Sequence, residues 1–167
     1  MSIAIRHADL SDTPFIMACI RELAEFEKLA HEVEATPSMI DRALFGGAPR
    51  AFCDIAEWNG EACGMALWFY SFSTFSGRHG IYLEDLYVRP KARGKGLGRA
   101  LLVYLAKRCV NEKLTRLEWS VLDWNSATID FYKAQGAAFL DDWTKCRISG
   151  EALARLGKAA RTAAAVK

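Results

Sequence analysis

The stretch Arg93-Gly94-Lys95-Gly96-Leu97-Gly98 decides how the rest of the chain is read. Before it runs an apolar segment, Ile81 to Val88, with the length and composition of a buried strand. After it, from Arg99 to Val110, the sequence reads as a helix whose inner face carries Leu97, Leu101, Leu105 and Cys109. A glycine-rich turn therefore joins a strand to a helix N-terminus. Glycines let main-chain N–H groups turn inward and approach an anion closely. The helix start adds unpaired N–H donors and a partial positive charge. Arg93 and Lys95 add full charges. The arrangement suits a pyrophosphate; a merely flexible helix entry is the competing reading of any glycine-rich turn.

Two familiar phosphate loops do not fit. A Walker A loop needs Gly-Lys-Ser/Thr, and that string is absent. A dinucleotide fingerprint needs a further glycine beyond Gly98, where the chain continues Arg99-Ala100-Leu101. What remains is Arg-x-x-Gly-x-Gly, read as Arg93, Gly96 and Gly98 after a strand ending Leu86-Tyr87-Val88.

The totals narrow the class. A chain of 167 residues, half apolar and a quarter charged, suits a single folded domain with a real core. We expect that domain over residues 1–157, followed by an alanine-rich, basic, frayed tail at 158–167. A net charge of +2 gives no general pull towards nucleic acid or an anionic membrane. The five cysteines are odd in number and lack C-x-x-C spacing, which argues against a disulfide framework and against a metal site. The first residues do not read as a signal peptide, and the longest apolar run, Met65 to Tyr70, is far too short to span a bilayer. The expectation is a cytoplasmic protein without metal, nucleic acid or membrane partners.

Taken in order, Ile3 to Arg6 alternates as a short strand. Ser11-Asp12-Thr13-Pro14 starts a helix reaching about Leu29, with Phe15, Cys19, Leu23 and Phe26 inward. Its end, Glu25-Phe26-Glu27, places carboxylates against the macrodipole, a reason to consider a cationic ligand there. Thr36-Pro37 opens a second helix closed by Gly46-Gly47. Asn59-Gly60 turns a hairpin between strands at Ala51–Trp58 and Glu61–Ser73. Later come a strand at Arg116–Val121, a helix at Ala127–Gln135, and two closing strands at Ala137–Leu140 and Thr144–Ile148. This order predicts an α/β domain, with a mixed, partly parallel central sheet flanked by helices on both faces.

Glu84-Asp85 interrupts an otherwise apolar strand. A buried carboxylate is costly unless paired, so at least one of the two belongs beside a cavity or a cation. A carboxylate made less acidic by burial suits the removal of a proton from an ammonium. Tyr132, beside Phe131, reads either as a packing residue or as an acid for a departing thiolate, since a phenol still holds its proton at neutral pH.

Five strings in order carry a closer likeness: Arg21 to Leu29, Tyr82 to Val88, Arg93 to Gly98, Val121 to Asn125 and Phe131 to Ala137. Together they resemble the diamine (spermidine/spermine) acetyltransferase-like branch of the GNAT superfamily. Glu-Phe-Glu-Lys-Leu and Leu-Asp-Trp-Asn look most like its thialysine acetyltransferase members. The resemblance implies acetyl-CoA as cosubstrate and direct acetyl transfer to a primary amine of a small diamine or amino-acid-like acceptor. It implies that Leu86, Tyr87 and Val88 offer main-chain groups to the pantetheine arm. Arg93, Gly94, Lys95, Gly96, Leu97, Gly98 and Arg99 would hold the pyrophosphate, and Asn125 and Ser126 the far end of the arm. It makes Tyr132 the general acid and Glu84 the route for the amine proton. Glu27, Glu84, Asp85 and Asp142 would attract a cationic acceptor, and the branch forms homodimers. Phe26 and Phe75 stand where polyamine enzymes carry tyrosine and tryptophan, so acceptor identity is open. A protein lysine or N-terminus as acceptor, or a CoA-binding regulatory module without turnover, are the alternative functions.

Overall fold

In the computed structural model, which describes residues 2–159, five strands form one sheet in the order β1-β2-β3-β4-β5. They are β1 (Ile3–His7), β2 (Phe52–Trp58), β3 (Glu61–Ser73), β4 (Arg78–Val88) and β5 (Leu117–Glu118). The first four pair antiparallel, and β5 joins β4 in parallel. That parallel pair is linked through α3 (Leu97–Asn111), as a crossover connection requires. The mixed sheet and its α/β class are those the sequence predicts. The chain clusters into two compact units, one up to Asn125 and one from Ser126.

Local chemistry sets most element ends in the first unit. Asp9 and Asp12 form a reciprocal capping box ahead of α1 (Thr13–Phe26), and Pro14 sits in its first turn. The helix stops just before Lys28, whose φ of 62° is left-handed. Thr36 caps α2 (Pro37–Phe45) by accepting from Met39 N–H. At Asn59 and Gly60 both φ angles are positive, 52° and 83°, the type I′ turn that suits a two-residue hairpin.

The strands alternate between two cores. Cys53, Ile55, Met65 and Tyr87 face α1 and α2, packing with Ile16, Cys19 and Leu44. The opposite face carries Asp54 and Trp68 towards α3, where the Arg108 guanidinium lies 5.0 Å from the Trp68 ring. Asp54 is fully buried on that face. It accepts from Trp68 Nε1 at 2.7 Å and lies 3.1 Å from His7 Nδ1. Four of the cysteines, Cys19, Cys53, Cys63 and Cys109, are free and buried, and Cys146 is free and exposed. No helix of the described residues is long and apolar enough to cross a membrane.

The second unit holds α4 (Ser126–Ala134) and α5 (Gly150–Ala159). Between them the two expected closing strands are absent: residues 137–140 and 144–148 form no strand. Leu140, Trp143 and Ile148 are exposed. An apolar or alternating segment makes a strand only where an edge accepts it, and these segments meet no strand within their own unit. Similarly, the strand expected at Arg116–Val121 shrinks to Leu117–Glu118. Of the expected tail, Lys158 and Ala159 close α5, and residues 160–167 lie outside the described residues.

Candidate active site

The glycine-rich stretch leaves β4 through a short 3-10 turn at Pro90–Ala92 and enters α3 at Leu97. Gly94 and Gly96 both adopt left-handed φ, 73° and 87°, which L side chains resist. A Cβ at Gly94 would meet nothing within 4 Å, so the backbone there is open to a ligand. No side chain caps the N-terminus of α3, so its first N–H groups are left for an anion. Arg99 is exposed on the first turn of this helix. The two flanking cations are placed differently from one another. Arg93 Nε donates to the Val88 carbonyl at 2.9 Å, and its guanidinium lies 5.6 Å from the Phe26 ring and 5.7 Å from the Tyr87 ring. It therefore ties the loop back to the strand end. Lys95 Nζ lies 5.2 Å from the Trp58 ring.

The strand before the loop is open along one edge. β5 pairs only with Ile81 and Tyr82 of β4, so nothing in the sheet covers the β5 side from there to Val88. The main chain of Leu86, Tyr87 and Val88 belongs to this open stretch. The Tyr87 side chain is a core residue, so any contact it makes along that edge is through its backbone.

A bulge places the acidic pair. The register of β3 against β4 steps from Leu67↔Asp85 to Trp68↔Leu83, leaving Glu84 as the extra residue. Glu84 is exposed, whereas Asp85 is largely enclosed. Burial, followed by the negative charges of Glu84 and Glu27, pushes the Asp85 carboxyl up to about 6. Glu27 sits at the C-terminal cap of α1, and burial raises its carboxyl as well. The fold thus gathers Glu27, Glu84 and Asp85, three of the expected acceptor-binding residues. Glu22, a turn earlier, is committed to an ion pair with Arg89 at 2.9 Å.

Near the same helix end, the Phe26 and Trp124 rings lie 5.6 Å apart. Asn125 follows in a turn, its N–H donating to the Leu122 carbonyl. In the second unit, Ser126 begins α4 and Tyr132 is buried within that helix. Burial pushes the Tyr132 phenol up to about 12, so it holds its proton throughout the physiological range. Asp142 is an exposed residue of the turn after α4. The bulge and the shifted acidity of Asp85 left no sequence signal beyond two adjacent carboxylates in an apolar strand.

Chain similarity assigns this geometry. A family model described as Acetyltransferase (GNAT) family matches residues 17–137. The chain belongs to the GNAT acetyltransferase family. It is 38% identical over 166 residues to thialysine N-epsilon-acetyltransferase of Mus musculus, covering 93% of this chain and 97% of that protein. It is 29% identical to an L-ornithine N5-acetyltransferase of Arabidopsis thaliana, covering 92% of this chain and 87% of that one. Among solved structures, an integron cassette protein of V. cholerae superposes with a TM-score of 0.78 at 25% identity, covering 95% and 99% of the two chains. An aminoglycoside acetyltransferase from a soil metagenome shares the fold with a TM-score of 0.73 at 12% identity, covering 88% and 95%. GNAT enzymes use acetyl-CoA as cosubstrate, and this chain is an amine N-acetyltransferase. The left-handed glycines, the uncapped α3 amides and the open β4 edge fit a diphosphate on a long arm.

Proposed function

We propose that the chain acetylates the terminal primary amine of a small diamine or amino-acid-like acceptor of the thialysine type by direct transfer. The observation that carries the reading is the bulge at Glu84, which sets two carboxylates on the uncovered end of β4, one strand-end away from the glycine loop. Gly94, Gly96 and the first amides of α3 bind the diphosphate of acetyl-CoA, with Lys95 and Arg99 adding charge. Asn125 and Ser126 hold the far end of the arm. When bound, acetyl-CoA supplies the acetyl group and a thiolate leaving group.

An alkyl ammonium has an ordinary pKa of ~10 and must lose a proton before it can attack. Glu27, Glu84 and Asp85 draw the cation in, with Asp142 as a further acidic group. Glu84 passes the amine proton to solvent. Asp85, ionising at about 6, is already charged at neutral pH and is poised as its partner. The main-chain N–H of Leu86 orients the acyl oxygen. The Tyr132 hydroxyl, which burial keeps protonated at neutral pH, delivers its proton to the sulfur as the carbon–sulfur bond breaks. Burial pushes the Cys19 thiol up to about 12, which supports direct transfer over a cysteine-borne intermediate. Homodimer formation and a reducing, cytoplasmic setting belong to the same reading.

The test is release of free CoA thiol over a panel of thialysine, lysine, ornithine, putrescine, spermidine and a lysine peptide. Turnover restricted to small terminal amines is expected. Turnover of the peptide alone would reassign the acceptor to proteins, and CoA binding without turnover would leave a regulatory module.

A further inference from the structure

On the same sheet face as Asp85, but further along β3, lies a cavity of about 290 Å³ lined by Arg42, Ala43, Ala48, Arg50, Ala51 and Phe69. We infer that Arg42 and Arg50 bind the carboxylate of an acceptor whose other end is the amine acetylated beside Asp85, making an ω-amino carboxylate the preferred substrate class. This rests on the amine transfer proposed above and specifies the far end of that acceptor.

The local fold explains why two arginines line this cavity. Arg42 is in the last turn of α2, and Gly46 ends that helix. Any Cβ at Gly46 would lie 2.5 Å from the Arg42 carbonyl oxygen, so only glycine lets the chain double back. The returning segment carries Arg50 to the same cavity wall. Neither arginine makes an ion pair or a side-chain hydrogen bond among the described residues, and no carboxylate lines the cavity. The nearest acid on α2, Asp41, is occupied by the Thr13 hydroxyl. Two exposed arginines without ion-pair partners, beside an apolar floor, are suited to a carboxylate, which a guanidinium can hold through paired N–H donors.

The register supplies the spacing. Leu67 is opposite Asp85, and Phe69, two residues on, is opposite Tyr82. Directly opposed residues share a face, so Asp85, Tyr82 and Phe69 line one side of the sheet. Two residues of strand span roughly 7 Å, about the reach of an extended lysine side chain. The Phe69 ring, on the cavity wall, stacks against Tyr82 at 5.2 Å and gives an apolar floor for methylene groups. This face of the sheet is therefore acidic at Asp85, beside Glu27 and Glu84, and cationic at the cavity lined by Arg42 and Arg50. Arg78, the other cation on this hairpin, is opposite Ser73. Six residues of strand put it roughly 20 Å from Asp85, out of reach of such an acceptor.

The experiment compares four acceptors on wild type, Arg42→Gln, Arg50→Gln and the double variant, at saturating acetyl-CoA. Thialysine and 6-aminohexanoate carry the carboxylate; cadaverine and pentylamine lack it. We expect the double variant to lose roughly 10- to 100-fold in kcat/KM on the first two, mainly through KM, as for removal of charge-assisted hydrogen bonds. Pentylamine turnover and the KM for acetyl-CoA should not change. An equal loss on pentylamine, or no loss on 6-aminohexanoate, overturns the carboxylate site while leaving amine transfer standing. Failure of wild type to acetylate any of the four overturns the amine reading and this one with it.

Discussion

Replacing Asp85 by asparagine should make the enzyme more stable and less active, and the size of both effects follows from where the fold puts this carboxylate. Its acidity moves from 3.8 to about 6, chiefly through burial and then through Glu84 and Glu27. Below pH 3.8 the folded and unfolded chains both hold the proton, and the group costs nothing. Between 3.8 and about 6 the unfolded chain has released a proton that the folded chain retains, so stability falls as pH rises. Above about 6 the whole penalty is present, about 3 kcal/mol at ~1.36 kcal/mol for each power of ten in acidity. Asp85→Asn removes the charge and with it this penalty. At roughly 2–4 °C per kcal/mol for a chain of this size, the variant should melt about 6–12 °C above wild type near neutral pH. Near pH 4 the two melting temperatures should converge. The same titration should appear in catalysis: wild-type kcat/KM rises with pH through about 6, and the variant loses that limb along with most of its activity. Thermal melts and initial rates across the same buffers read both quantities. A stability difference independent of pH, or a variant less stable than wild type at neutral pH, would refute the electrostatic account of this site.

Other perturbations separate the remaining parts. Tyr132→Phe should lower kcat by ~10²-fold with the KM for acetyl-CoA unchanged, the mark of a lost general acid; undiminished kcat would remove that role. At Gly96 the left-handed φ of 87° resists any side chain, and the nearest atom to an added Cβ is Ile3 Cδ1 at 3.7 Å, so strain is confined to the backbone. Gly96→Ala should cost about 1–2 kcal/mol of local strain and weaken CoA binding in calorimetry; unchanged affinity would show that the loop does not contact the diphosphate. Asp54→Ala would orphan the buried Trp68 Nε1 that it now accepts from at 2.7 Å. It should cost about 1–3 kcal/mol in urea unfolding, with turnover retained because Asp54 faces α3 rather than the acidic cluster.

Several features were legible in the sequence because their causes are local. The Asn59-Gly60 turn, the Thr36 cap, the glycine loop and the strand before it each depend on residues within a few positions, and each forms where expected. The closing strands at Ala137–Leu140 and Thr144–Ile148 failed for the opposite reason. The first is apolar throughout and the second alternates, but strand pairing depends on an edge supplied from elsewhere in the chain. The sequence likewise singles out Glu84-Asp85 as anomalous without saying which of the two is enclosed.

Sequence alone therefore determined the class of sheet, the glycine-rich turn between strand and helix and, through five ordered strings, the acetyltransferase family. Tertiary structure decided what depends on non-local register: the bulge that exposes Glu84 and encloses Asp85, the tether from Arg93 to the Val88 carbonyl, and the placing of Arg42 and Arg50 along one cavity past Gly46. The physical reason is that periodicity and capping act over one or two turns of chain. Acidity and ligand shape are instead set by whichever groups the completed sheet brings within Coulombic reach.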